Sequence, residues 1–377
     1  MARIPLFEQY PGLKDALPCT SLTNLPTPVE KLEKLGAALG IDALYVKRDD
    51  LTGTLYGGNK PRKLEFILAD ALRSGATHVL TFGAAGSNHS LATALYAHKL
   101  GLISISMLVP QPNTNYVRTN LFMSHRCGAE LHACGASLES PLNKPLAYQS
   151  TLRQLIRHKL TDGRTPYRIP PGGSSHHGIA GYVNAGLELA GQIAAGIVPV
   201  PDRIYVACGT LGTAAGLILG LKAGGLRSRV IAVKVTTGPY VNTVNMQKCV
   251  LSTNRFLHAL DPSFPLLVSS QDEFEVREGY SGPRYALFTE AGMSAVRQMW
   301  RNERLRLEGT YTGKACAALL DDVRDGRLQG MTVLFWNTFN SRDFSTEIEG
   351  IDYHYLPRPF HAYFEEPVQP LDRPLTE

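Results

Sequence analysis

Two rhythms of apolar positions alternate along the chain. Short runs such as Val79-Leu80-Thr81-Phe82 and Ile204-Tyr205-Val206-Ala207 are separated by longer stretches in which apolar residues return every three or four positions. From Ala43 onward the pattern predicts strands over 78–82, 103–109, 203–208, 229–235 and 332–335. It predicts helices over 87–100, 116–127, 146–160, 179–197, 213–223, 240–260, 289–304 and 313–324. Such alternation is the order of a parallel sheet covered by helices, so the fold class is α/β, with no internal repeat. A further helix is marked by Leu64, Ile67, Leu68, Ala71 and Leu72, with Pro61 in its first turn and Gly75 as its stop.

Length divides this picture. At 377 residues the chain outgrows a single core, which rarely exceeds roughly 250–300 residues, so two domains are expected. The segment 160–173, containing Arg164-Thr165-Pro166 and Pro170-Pro171-Gly172-Gly173, reads as a crossing between lobes. Five prolines near the end (Pro357, Pro359, Pro367, Pro370, Pro374) forbid a regular helix or central strand and predict a tail laid along a surface. With 44% apolar and 19% charged residues the composition is globular. The net charge of +5 is dispersed, which excludes a nucleic-acid stripe and weakly favours small anionic ligands. There is no apolar run of about eighteen residues and no signal core after Met1, so a soluble cytoplasmic protein with no membrane partner is expected. Six cysteines without a Cys-x-x-Cys pair and eleven histidines without a His-Glu-x-x-His cluster predict reduced thiols and no metal.

Three turns carry candidate chemistry. In Tyr56-Gly57-Gly58-Asn59-Lys60-Pro61-Arg62-Lys63 a lysine stands at the mouth of a helix behind two glycines. The positive end of the helix disfavours an ammonium there, and a neutral amine is a nucleophile toward aldehydes. The second turn, Cys208-Gly209-Thr210-Leu211-Gly212-Thr213, follows a strand and opens a helix, a cradle suited to one phosphate. It lacks the Gly-Lys-Ser/Thr ending of a nucleotide loop. The third, Gly83-Ala84-Ala85-Gly86-Ser87-Asn88-His89, is either a simple N-cap or a cradle for a substrate carboxylate. A reactive lysine with two anion cradles suits pyridoxal phosphate acting on an amino acid.

The run Tyr45-Val46-Lys47-Arg48-Asp49-Asp50-Leu51-Thr52-Gly53, followed by Gly57-Gly58-Asn59-Lys60-Pro61-Arg62-Lys63-Leu64-Glu65-Phe66, resembles the signature of a pyridoxal-phosphate family, that of aminocyclopropanecarboxylate deaminase and D-cysteine desulfhydrase. Ser87-Asn88-His89, Gly172-Gly173-Ser174, Gly209-Thr210-Leu211-Gly212-Thr213, Glu278-Gly279-Tyr280 and Tyr311-Thr312-Gly313-Lys314-Ala315 resemble its later motifs in order. The resemblance implies a two-domain, three-layer fold with parallel-type sheets, tryptophan synthase beta-like (fold type II). Its large domain would be 1–65 with 175–377 and its small domain 66–174. It implies Lys60 as the residue that bonds the cofactor and carries the proton. Lys63 and the loop Gly209, Thr210, Leu211, Gly212 and Thr213 would hold the phosphate, Asn88 the ring hydroxyl and Thr338 the ring nitrogen. Ser87 would meet the substrate carboxylate or assist proton transfer, Tyr280 and Tyr311 would flank the substrate, and a homodimer is implied.

Two departures bear on the reaction. The deaminases carry a glutamate after the second tyrosine, where this chain has Thr312. Without an acid at the ring nitrogen the electron sink is weaker, so elimination of a good β-leaving group is expected over opening of a cyclopropane. Desulfhydrases carry His-Thr-Gly-Gly where this chain reads Asn337-Thr338-Phe339-Asn340, which alters the local backbone and pocket. The unusual pair His176-His177 is expected either to contact a substrate side chain or to be exposed in a loop. The expectation is a lyase of the desulfhydrase type that releases a keto acid and ammonia. Its alternatives are a deaminase, a β-replacement enzyme and a silent cofactor-binding protein.

Overall fold

The computed structural model describes residues 4–135, 144–267 and 270–374. Two sheets organise them. The larger has six strands in the order β1 (Val29–Lys31), β2 (Leu44–Lys47), β10 (Val333–Trp336), β7 (Arg203–Cys208), β8 (Arg229–Lys234) and β9 (Phe274–Arg277), and only its β1–β2 edge is antiparallel. The smaller is parallel throughout, in the order β5 (Glu130–Ala133), β4 (Ile103–Val109), β3 (His78–Ala84) and β6 (Tyr167–Arg168). The helices are α1 (Pro5–Gln9), α2 (Leu13–Ala16), α3 (Glu33–Leu39), α4 (Lys60–Arg73), α5 (Asn88–Lys99), α6 (Asn115–Arg126) and α7 (Lys144–Thr161). They continue with α8 (His176–Ala194), α9 (Gly212–Ala223), α10 (Thr243–Leu260), α11 (Glu290–Glu303), α12 (Thr312–Arg324), α13 (Ser345–Ile348) and α14 (Ala362–Glu365).

The central strands explain the layering. Along β7, Ile204 and Val206 enter one core with α8, α9 and α10, while Tyr205 and Ala207 enter another with α3, α11 and α12. A period of two on a sheet buried on both faces therefore builds three layers. Gly181 of α8 lets α4 lie against it, since a Cβ there would stand 2.0 Å from the Arg62 carbonyl oxygen. That contact sets the height of Lys60.

The expected helices all form within a few residues, and Gly75 stops α4 at a φ of +73°. Five strands escaped the sequence reading: β1, β2, β5, β6 and β9. They are short or lie at sheet edges, and β9 alternates charge with apolar residues (Phe274-Glu275-Val276-Arg277), so none shows a sustained apolar run. The pair His176-His177 is not in a loop; Ser175 caps α8, accepting from Gly178 N at 3.2 Å, and both histidines lie in the first turn. The proline-rich tail lies along this chain's own α6, where Arg118 donates to the Tyr363 and Glu366 carbonyls at 2.7 and 2.8 Å, and against expectation it forms one helical turn, α14, in the proline-free stretch between Pro359 and Pro367. All six cysteines are unpaired, and among the described residues no helix is long and apolar enough to cross a membrane.

Candidate active site

A cavity of about 430 Å³ opens where the carboxyl ends of β3, β4 and β5 face those of β7 and β10. Ligands in open α/β sheets bind at such ends. The turn that delivers Lys60 to it is fixed from two sides. Gly58 N donates to Asp49 O at 2.8 Å, Asn59 N to Thr338 O at 3.1 Å, and Gly57 N to Asn340 Oδ1 at 2.6 Å. Gly57 has no room for a side chain, since a Cβ would meet Asp50 O at 2.0 Å, and Gly58 takes a φ of +82°. The altered segment 337–340 is thus the platform on which the lysine turn rests.

A buried ionic cluster holds the first turn of α4. Arg62 donates to both Asp49 oxygens at 2.7 and 3.0 Å and to Glu188 Oε2 at 2.9 Å, and Lys47 Nζ donates to Glu188 Oε1 at 2.6 Å. Tyr182 OH and Trp336 Nε1 each donate to Asp49 Oδ2 at 2.7 Å. Strands β2 and β10 and helices α4 and α8 meet at this cluster.

Lys60 lines the cavity, and burial lowers its pKa to about 8. The direction agrees with the sequence reading, though desolvation rather than the helix end is the cause. Lys63 lies one turn behind it at 1% exposure. Its amine donates to Gly172 O at 3.1 Å and has no carboxylate in ion-pair range among the described residues. Burial and the neighbouring Lys60 push its pKa far down.

Beside Lys63 is the turn 209–213. Gly209, Thr210, Leu211 and Thr213 line the cavity, and Gly212 stands just behind, where a Cβ would be 2.6 Å from Ser174 Oγ and 3.1 Å from Lys63 Nζ. Leu211 holds a φ of +67°, a strained conformation for a residue with a side chain, at the N-terminus of α9. Asn59 Nδ2 donates to Thr213 Oγ1 at 3.0 Å and joins this turn to the lysine turn.

Ser87, Asn88 and Thr338 also line the cavity. Ser87 caps α5, its hydroxyl accepting from Ser90 N at 3.2 Å, and Asn88 Oδ1 accepts from Asn120 Nδ2 at 3.2 Å. Tyr311 lines the cavity, but Tyr280, expected beside it, does not. Its hydroxyl donates to Asp321 at 2.8 Å and its ring packs on the core of the large sheet, a charge-assisted bond and apolar burial that hold it away. Tyr285 occupies the cavity in its stead, hydroxyl to hydroxyl with Tyr311. His176 stacks on Phe256 of α10 and His177 meets the same ring edge-on, with centroids 5.0 and 5.3 Å away, and neither lines the cavity, so the substrate-contact expectation for them does not hold.

Besides Tyr285, two polar cavity residues, Glu308 and His89, had no role assigned from the sequence. Glu308 is buried and accepts from the N–H groups of Thr310, Tyr311 and Thr312 at 2.7, 2.7 and 2.8 Å, capping the turn into α12. Burial raises its pKa despite those bonds. His89 is 3% exposed with both ring nitrogens unpartnered, and burial followed by Lys60 and Lys63 drives its pKa far down, so the ring is neutral. Its place next to Asn88 was the available signal. Away from the cavity, at the opposite end of β3, His78, His158 and Asp162 converge, with His158 Nδ1 2.6 Å from Asp162.

This cradle of buried uncompensated lysine, glycine-threonine turn and helix end belongs to a protein of the fold type II class, and residues 20–338 match the family of pyridoxal-phosphate dependent enzymes. The chain belongs to that family, and pyridoxal phosphate is its cofactor. It is 36% identical to the D-cysteine desulfhydrase of Salmonella choleraesuis (strain SC-B67) over 314 residues, 82% of this chain and 90% of that one. It is 36% identical to the D-cysteine desulfhydrase of Yersinia pestis (strain Pestoides F) over 309 residues, 81% and 88% of the two chains. An ACC deaminase homologue superimposes with a TM-score of 0.73 at 32% identity, covering 92% of this chain and 99% of its own. Threonine deaminase isoform 2 from Solanum lycopersicum, at 19% identity and a TM-score of 0.60 over 92% and 94% of the two chains, shares the fold. The residues present fit the cofactor: a phosphate beside Lys63 supplies the counter-charge that lets its buried amine, otherwise pushed toward the neutral form, hold a proton.

Proposed function

We propose that this enzyme removes the β-substituent of a small amino acid, releasing a keto acid and ammonia, as a desulfhydrase-type lyase. The observation that carries the reading is a cavity holding a lysine of pKa about 8 in which the one carboxylate among the described residues, Glu308, is already engaged by three backbone N–H groups. Bound pyridoxal phosphate supplies an electron sink for charge that develops at the substrate Cα. Lys63 and the turn of Gly209, Thr210, Leu211, Gly212 and Thr213 would hold its phosphate, Asn88 its ring hydroxyl and Thr338 its ring nitrogen. Lys60 Nζ, uncharged above about pH 8, takes the proton from Cα. Ser87, at the N-terminus of α5, receives the substrate carboxylate. Tyr311 flanks the substrate, with Tyr285 in the place expected of Tyr280.

Ring-opening deamination is the second reading, favoured by the likeness to the ACC deaminase homologue. Thr312 and the engaged Glu308 leave no free acid for the ring nitrogen, which ranks it below elimination. In the same proposal the cofactor lies between a large domain, 1–65 with 175–377, and a small domain, 66–174, supported by the two separate sheets. The enzyme acts as a cytoplasmic homodimer, the dimer being open to test by light scattering. The reaction itself is tested by assaying keto-acid release from β-substituted amino acids of both hands. Turnover that disappears in Lys60→Ala is expected, and turnover retained in that variant contradicts the assignment.

A further inference from the structure

On the small-sheet side, beyond the polar turn of Ser87, Asn88 and His89, the cavity wall is apolar. Phe82 of β3, Met107 and Val109 of β4 and Cys134 after β5 line it, and Tyr285 packs against the same cluster from the other side. No charged side chain stands among these five, whereas the phosphate turn follows β7 across the cavity.

The position of Tyr285 is imposed by a strained turn. Ala286, next to it, holds a φ of +61° and is fully buried, a conformation that a residue with a side chain keeps only when its surroundings enforce it. Gln369 enforces it: its Nε2 donates to Ala286 O at 3.1 Å and its Oε1 accepts from Phe288 N at 2.6 Å. Gln369 N in turn donates to Asn113 O at 3.0 Å, and Asp372 accepts from Asn115 N at 2.5 Å, so the tail ties this turn to the start of α6. The tail lies beyond residue 338, where the family match ends. The turn that carries Tyr285 is therefore braced by a segment beyond the end of the family match.

We propose that Tyr285, held by Gln369 as a positioning residue, closes an apolar pouch that takes an uncharged apolar β-substituent larger than a thiol, such as the S-alkyl or S-aryl group of a substituted cysteine. This rests on the elimination reading above. In the reaction the Cα–H and Cβ–S bonds break and the sulfur leaves with a proton as R–SH. One water then hydrolyses the remaining enamine to pyruvate and ammonia. A hydrophobic pocket discriminates by roughly 10–200-fold per methylene it accommodates, so the preference is large enough to measure.

The test is pyruvate release by the holoenzyme from cysteine, S-methylcysteine and S-benzylcysteine of both hands. The expected result is a kcat/KM for S-benzylcysteine at least about tenfold above that for cysteine. Gln369→Ala is expected to reduce that ratio by about tenfold, chiefly through the KM of the benzyl substrate, and Gln369→Glu, which keeps the acceptor for Phe288 N, to recover part of it. The wild-type ratio decides even if a variant folds poorly. Turnover with cysteine equal to or better than S-benzylcysteine overturns the pouch and leaves elimination standing. Pyruvate from none of the substrates, with cofactor bound, overturns elimination and this inference with it.

Discussion

Lys60 and Lys63 share a helix turn yet are held for different purposes. Lys60 faces the cavity and keeps a pKa of about 8, so the nucleophilic form grows as pH rises through that value. The rate of pyridoxal phosphate uptake by apoprotein should therefore climb between about pH 7 and 9 and level off above, and a flat or falling profile counts against Lys60 as the acceptor. Lys63 is pushed down further, by burial and by Lys60 itself. Replacing it by methionine should weaken cofactor binding strongly while raising the melting temperature of the apoprotein, because removing a poorly compensated buried amine is worth roughly 1–3 kcal/mol. Unchanged cofactor affinity in Lys63→Met would remove it from the phosphate site. These two, with Ser87, Asn88 and the 209–213 turn, were legible in the sequence because each sits in a short glycine- or small-residue turn whose neighbours along the chain define the site. Tyr280 and Tyr285 were not separable that way. Their choice depends on Asp321, which captures Tyr280, and on Gln369, which seats the turn after Tyr285, and both partners are distant in sequence.

At the scale of elements, the first turn of α4 is held by charges that the chain brings together from Lys47, Asp49, Arg62 and Glu188. Breaking such a buried cluster by removing one partner costs about 3–5 kcal/mol, so Arg62→Ala should lower the urea midpoint sharply. A loss below about 1 kcal/mol would show that α4 is held by its apolar face instead. Burial opposes the charged form of Glu188, but Arg62 and Lys47 outweigh it and hold the pKa at about 2. The folded pKa is depressed, so the stabilisation is complete above the usual glutamate range and is lost as pH falls from about 4.5 to 2. Denaturation midpoints measured across that interval should fall, and less steeply in Glu188→Gln. The long helices and the central strands were readable because their burial is periodic. The cluster was not, since Lys47 in β2 and Glu188 in α8 look like ordinary surface charges until the sheet and helix meet.

For the whole molecule, the proline-rich end was readable as a surface tail, but not the surface it covers. It runs along α6 and packs against the Ala286–Phe288 turn, joining residues that follow β4 of the small sheet to residues that follow β9 of the large one. Deleting residues 367–377 should lower thermal stability and loosen the cavity wall while leaving cofactor uptake at Lys60 in place, read as visible absorbance retained with lower substrate selectivity. The account as a whole depends on one amine meeting the cofactor aldehyde in this cavity. The most direct test is borohydride reduction of the reconstituted holoenzyme followed by peptide mapping: the account predicts a single pyridoxyl label on Lys60, and a label on Lys63 or another lysine, or none, would contradict it.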